Sequence, residues 1–192
     1  MTALARTLPS LALAAGLLAC DQGHGSLHGL WLEVEDCAHL GEPKRFEPFA
    51  MDLAFASVNE HLGAAVLRFS PSARLIGEAD QVAIALSSAA ELRQGTASDP
   101  VTLTLQADGQ GDADLTLSLL GRCKHVTGAF AAEGTVTFQD YGWKSGARVR
   151  GEMAFDLVDR RTGDTVGEGF VGDFDFESLT GSPYTAFTPR DY

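Results

Sequence analysis

The sequence VRGEMAFDLVDRRTGDTVGEGFVGDFDFE, residues 149–177, decides the fold class. Apolar and polar residues alternate from Val149 to Leu157, and after DRRTGD (159–164) the alternation resumes and continues to Glu177. A period of two residues is typical of a strand with one buried face, and Gly and Asp favour the reversal between two strands. The stretch therefore predicts an antiparallel hairpin, with a bulge where Glu168 stands between two glycines.

The same alternation covers most of residues 27–177, and the one helical pattern is Ala89–Arg93 with Ser88 and Glu91 as a capping box. Residues 101–107 and 115–119 predict a second hairpin around the Asp- and Gly-rich loop between them. The fold class is therefore all-β. We expect either an antiparallel β-sandwich or a closed β-barrel, with about eight to ten strands and little helix.

Length and charge limit the classes of partner. A chain of 192 residues is expected to form one domain with its own core. It carries 14 Lys and Arg against 26 Asp and Glu, a net charge of −12. Phosphate backbones repel such a chain, so nucleic acid is excluded as a partner.

The N-terminus has the features of an export signal. Arg6 precedes an apolar run, Leu8–Ala19, which is too short to cross a membrane as a helix. The residues Leu17-Leu18-Ala19-Cys20 resemble the lipobox of bacterial lipoproteins. That resemblance implies cleavage before Cys20, diacylglycerol on its thiol and an acylated amino terminus. The alternative is an ordinary cleaved secretory signal, and both interpretations place the protein outside the cytoplasm.

These features predict four segments along the chain. Residues 1–19 are the lipoprotein signal peptide, and residues 20–26 hold the lipidated Cys20 and a flexible Gly-rich tether. Residues 27–177 form the single β domain, and residues 178–192 form an irregular C-terminal tail. The predicted location is the bacterial cell envelope, lipid-anchored and facing the periplasm or the exterior. Several acyl chains make such attachment practically permanent.

Lipidation of Cys20 leaves Cys37 and Cys123 as a pair. In an oxidising envelope the simplest prediction is a disulfide between them, worth roughly 4 to 5 kcal/mol in the chain-entropy model. A second interpretation starts from the shared Cys-x-His pattern, since His39 and His125 would lie on the same strand face as their cysteines. Together the four residues would suit zinc or copper.

The residues Gly29-Leu30-Trp31 open the β domain and resemble the Gly-x-Trp motif at the start of lipocalins and other calycin barrels. In that family the Trp closes the barrel floor and the interior holds a lipid or another apolar ligand. The resemblance implies that Trp31 lies beside such a ligand. The alternative is that Trp31 packs in the core of an unrelated β fold.

The sequence contains no catalytic motif: no His-Glu-x-x-His pair, no Gly-x-Ser-x-Gly elbow and no phosphate-binding loop. We therefore expect a non-catalytic domain without a cofactor. Its expected partners are the membrane, through the lipid anchor, and either a protein or an apolar ligand. One basic and aromatic group is a candidate contact surface: Tyr141, Trp143, Lys144, Arg148, Arg150, Arg160 and Arg161.

Overall fold

The computed structural model describes residues 22–32, 45–72, 79–119, 130–144, 146–160 and 162–178. Strands make up 69% of these residues, and a single short helix accompanies them. The all-β class predicted from alternation is confirmed.

The structural elements follow one another in a simple order. The first five strands are β1 (Gly23–Leu32), β2 (Phe46–Leu53), β3 (Phe55–His61), β4 (Ala64–Ser70) and β5 (Asp80–Leu86). The helix α1 (Ala89–Thr96) comes next. The last five strands are β6 (Val101–Leu105), β7 (Ala113–Leu119), β8 (Phe130–Tyr141), β9 (Arg148–Val158) and β10 (Thr165–Glu177).

All ten strands belong to one sheet, in the order β2-β1-β10-β9-β8-β6-β7-β5-β4-β3. The two strands at its edges, β2 and β3, are consecutive in the chain and are separated only by Ala54. The backbone N–H of Ala54 donates to the carbonyl of Ser70 on β4, at 3.0 Å. The sheet thus curls until its edges meet in a nearly closed barrel, so of the two predicted architectures the barrel is the one observed.

The hairpin of β9 and β10 follows the alternation closely. Their register pairs Phe174 with Gly151 and Phe170 with Phe155, and the inward side chains of both strands are buried. The predicted bulge is also present. The register shifts between Gly167 and Phe170, Gly169 has φ +59°, and its N–H donates to Oδ1 of Asp156 at 2.7 Å.

The predicted hairpin of residues 101–119 is wrong. Strands β6 and β7 run in the same direction, and both pair antiparallel with β8. The carboxylate of Asp112 accepts hydrogen bonds from the N–H and the hydroxyl of Thr104, so the loop folds back onto β6. The chain then enters β7, which runs in the same direction as β6. Alternation shows which face of a strand is buried, and it carries no information about strand direction.

The flexible tether predicted for residues 20–26 is also wrong in part, because Gly23–Ser26 form the start of β1 and pair with β10. Their small size allows close packing. A Cβ atom at Gly23 would lie 2.1 Å from the carbonyl oxygen of Asp175, and one at Gly25 would lie 2.5 Å from that of Asp173. These glycines permit close approach of two strands, although their composition is also typical of a flexible linker.

The helix α1 extends the predicted Ala89–Arg93 to Thr96, and Gly95 lies within it. The predicted capping box is wrong, since the side chain of Ser88 makes no capping hydrogen bond. The N–H of Ala89 donates instead to the carbonyl of Gly63, at 2.8 Å, which fixes the helix to the β3–β4 turn. In the part of the chain that the structure describes, no helix is long and apolar enough to span a membrane.

Candidate functional site

The first described residues tie the N-terminus to the barrel. Gln22 is only 5% exposed, and its carbonyl accepts the N–H of Glu177 at 2.7 Å. Its side-chain amide accepts the N–H of Ala56 at 3.2 Å and donates to the carbonyls of Ala56 and Glu177. Cys20 itself lies outside the described residues. The chain is therefore part of the barrel from the second residue after Cys20.

The four residues of the predicted disulfide and of its metal alternative, Cys37, His39, Cys123 and His125, lie outside the described residues. The described residues on either side of their segments are informative nevertheless. Trp31, near the end of β1, and Phe130, at the start of β8, are in edge-to-face contact with ring centroids 5.0 Å apart. The end of β1 and the start of β8 therefore lie at the same end of the barrel.

Trp31 is half-buried and packs against the core from this end of the barrel. Gly29, two residues earlier on the same face, lies under an aromatic ring, because a Cβ atom there would be 2.7 Å from Cγ of Phe170. The Gly-x-Trp pattern thus has a structural basis in this chain. The glycine makes room for Phe170, and the Trp covers the end of the interior.

Aromatic rings from distant strands meet inside the barrel. Phe69 on β4 lies 4.8 Å from Phe174 on β10, measured between ring centroids, and 5.7 Å from Phe176. Phe138 on β8 is 5.5 Å from Phe174, although β9 separates their strands in the sheet. All four rings are almost completely buried. Around Phe174, the interior of the barrel is therefore filled by side chains.

A polar cluster lies where α1 covers the barrel. The guanidinium of Arg93 forms an ion pair with Glu60, and the hydroxyl of Tyr141 donates to the same carboxylate at 3.3 Å. Burial, followed by the nearby negative charge of Glu60, raises the pKa of Tyr141 well above its ordinary value. These contacts attach α1 to β3 and β8, and the cluster presents no activated nucleophile.

The basic and aromatic group predicted from the sequence is not one surface. Tyr141 is buried, Arg160 forms an ion pair with Asp114, and Arg161 lies outside the described residues. Arg148 begins β9, which spans roughly 35 Å, and Arg160 lies two residues beyond its other end. The prediction of a single contact surface is therefore wrong, because these residues lie apart and make separate local contacts.

One of these pairs borders an open groove of about 290 Å³ beside Gln22. Nε of Arg148 donates to Oδ1 of Asp175 at 2.6 Å, and these hydrogen bonds hold the pKa of Asp175 below its usual value. Arg150 approaches the same carboxylate, at 4.0 Å. The cations here are engaged with Asp175, so this groove presents no excess of positive charge.

The acidic loop between β6 and β7 likewise has local partners. Asp112 binds Thr104, Asp108 accepts the N–H of Gln110 at 2.9 Å, and Asp114 pairs with Arg160. Within the described ranges, no group of three or more His, Cys, Asp and Glu residues is arranged to hold a metal ion.

An exposed apolar area crosses four neighbouring strands on the outer side of the barrel. We name it the wall patch and define it by six outward-facing residues: Leu30, Phe46, Pro48, Ala50, Ala154 and Val171. The register connects them through His28, an exposed polar residue inside the patch, since Val171 pairs with Ala154 on one side and with His28 on the other, and His28 pairs with Ala50. Leu30 is 43% exposed, Phe46 37% and Val171 56%.

The wall patch was not predicted from the sequence. No single strand indicates the patch in its sequence, because each strand contributes only one to three apolar residues on its outward face. Val171, for example, shares its face with Asp173 and Asp175, and it stands out only as an exception to the polar alternation. The neighbours that complete the patch become visible only when the sheet order is known.

Comparisons with known proteins found no match. No family model matches the sequence, and no curated protein and no solved structure is significantly similar to it.

Proposed function

We propose that this chain is a lipid-anchored, non-catalytic binding domain of the bacterial cell envelope, and that its wall patch binds a protein. The observation that carries the proposal is the exposure of Leu30, Phe46 and Val171 on neighbouring strands. Contiguous apolar surface is uncommon on the outside of a soluble domain, and where it occurs it commonly marks an interaction site. The aromatic rings packed around Phe174 fill part of the interior and support binding on the outside of the barrel.

The position of Gln22 supports the anchoring part of the proposal. Acyl chains on Cys20 would be connected to the barrel through about 7 Å of chain, since only Asp21 separates Cys20 from Gln22. Leu30 lies seven residues into β1 from Gly23, or roughly 23 Å along the strand. The wall patch would then be held on the side of the barrel, within reach of another protein at the membrane surface.

We also propose the disulfide between Cys37 and Cys123. Its support is the contact of Trp31 with Phe130, because the segment with Cys37 follows β1 and the segment with Cys123 precedes β8. Mass spectrometry without reductant distinguishes the alternatives. A mature chain lighter by two protons supports the disulfide, and a chain with two free thiols that retains a metal ion contradicts it.

Site-specific photo-crosslinking tests the binding surface. A photoreactive residue replaces Val171 in one variant and Leu62 in another, and both are activated in intact cells. Leu62 is the matched control because it is apolar and 93% exposed but belongs to the β3–β4 turn, outside the wall patch. The proposal predicts that position 171 crosslinks to a specific protein and position 62 does not. Equal products from both positions, or none from position 171, would contradict it.

A lipocalin-like carrier of an apolar ligand is the second candidate. It is favoured by Trp31, which is partly buried at one end of a barrel-like fold. Native mass spectrometry of the purified chain tests this candidate directly. A copurified lipid that is lost on Trp31→Ala, and retained on Val171→Asp, would support the carrier over the protein-binding domain.

A further inference from the structure

The wall patch has carboxylates on both sides. Toward the anchored end, Asp52 and Asp173 pair across Ser26, and Asp173 pairs with Glu152, so three acidic residues form one row across the sheet. On the other side stand Glu168, opposite Leu30, and Asp156. All five acidic residues are exposed. We name them the acidic rim.

Two carboxylates of the rim accept hydrogen bonds from neutral groups. Asp173 accepts the hydroxyl of Ser26 at 2.5 Å, and Asp156 accepts the N–H of Gly169 at 2.7 Å. The cations one and two rows away, Arg150 and Arg148, approach Asp175 instead. The wall patch is therefore a mainly apolar centre, interrupted by His28, between rows of negative charge on a chain whose net charge is −12.

We infer that the partner is a protein whose contact face has apolar side chains surrounded by Lys and Arg. This inference rests on the proposed function and adds the charge of the partner to it. Complementary charge at the rim of an interface speeds association and rejects wrong partners, whereas like charges placed face to face weaken binding. A basic rim opposite Asp52, Asp173 and Glu152 would meet both requirements.

A second copy of this chain does not fit the same surface. When two identical faces pack about a two-fold axis, each row of the acidic rim meets either itself or the row on the opposite side. Both rows are acidic, so both arrangements bring carboxylates together. An anionic lipid surface is disfavoured for the same reason, because it would face Asp173 and Glu152 with further negative charge.

A pair of synthetic peptides provides the test. The first is an amphipathic helix of leucine and lysine, and the second has glutamate in place of lysine. Each is titrated into the full chain carrying Cys20→Ser, and backbone amide shifts are followed by NMR. We expect the lysine peptide to shift the amides of Leu30, Ala50 and Val171, and to bind about tenfold more tightly than the glutamate peptide.

Two variants separate the apolar centre from the rim. Val171→Ser should weaken binding of the lysine peptide about tenfold, and the pair Glu152→Gln with Asp173→Asn should weaken it by a similar factor and reduce its salt dependence. Leu62→Ser is the control and should leave binding unchanged. Equal affinity for the two peptides, shifts confined to other parts of the barrel, or dimerisation of the chain through Val171 would overturn the inference.

The two proposals fail separately. A protein that crosslinks at position 171 but binds independently of salt and of Glu152→Gln would support the proposed function. The same result would contradict the inference that the partner is basic. If no protein crosslinks but the lysine peptide binds tightly at the wall patch, the surface prefers positive charge as inferred. The proposed function in the cell would then be contradicted.

Discussion

The side-chain amide of Gln22 pairs with the backbone of Ala56 as a neighbouring strand would. It accepts the N–H of Ala56 and donates to the carbonyl of the same residue. At this point β2 has ended and β3 has begun, so the amide connects β3 to the end of β10 through its further bond to Glu177. One side chain thus helps to close the barrel beside the residue proposed to carry the lipid.

Replacement of Gln22 by Ala should lower the free energy of unfolding by about 2 to 3 kcal/mol, because the buried backbone groups of Ala56 and the partly buried carbonyl of Glu177 lose their partner. Chemical denaturation measures the effect. Gln106→Ala is the matched control, since Gln106 is exposed in a loop, and it should change stability by less than about 0.5 kcal/mol. Equal stability of the two variants would show that the connection between β3 and β10 does not depend on the Gln22 amide.

Gly29→Ala should destabilise the barrel by about 1 to 3 kcal/mol, because the added methyl group would overlap the ring of Phe170. Thermal unfolding measures the loss. Phe170→Leu creates space at the same position, so the double variant should be more stable than the sum of the two single effects predicts. Strict additivity would argue against contact between these two positions.

Stability should fall above about pH 10 because of Tyr141. In the unfolded chain a tyrosine ionises near pH 10, whereas the raised pKa in the folded barrel keeps Tyr141 protonated. The unfolded state therefore binds fewer protons and is favoured as the pH rises, by up to about 1.4 kcal/mol for each pH unit. Denaturant unfolding across this range should show a weaker pH dependence for Tyr141→Phe, and an unchanged slope would contradict the assignment.

Val171→Asp should leave the free energy of unfolding within about 0.5 kcal/mol of the parent chain, because the side chain is largely exposed. It should nevertheless abolish crosslinking from a photoreactive residue placed at Leu30. Leu62→Asp introduces the same charge outside the wall patch and should preserve the crosslink. Loss of the crosslink in both variants would indicate a general effect of added negative charge.

The parts of the fold that were predictable are those set by neighbours in the chain. The hairpin of β9 and β10 follows from alternation because its two strands adjoin in both sequence and space. The direction of β7 relative to β6 is set by the pairing of both strands with β8, which follows later in the sequence. The alternation within β6 and β7 does not indicate this direction.

The start of β1 shows a second limit of local sequence. Gly23 and Gly25 have the composition of a linker, and only the approach of β10 reveals that they serve tight strand packing. The wall patch shows a third limit. Leu30, Phe46 and Val171 come from three strands, and the sheet order alone brings them together.

Intact mass analysis of the chain purified from cell membranes tests the lipid-anchored domain most directly. We expect a mature chain that begins at Cys20 and carries a diacylglyceryl group on its thiol and an acyl group on its amino terminus. Cys20→Ser should lack both groups and leave the membrane fraction. A chain without lipid on Cys20, or membrane attachment that persists in Cys20→Ser, would show that this protein is not anchored through Cys20.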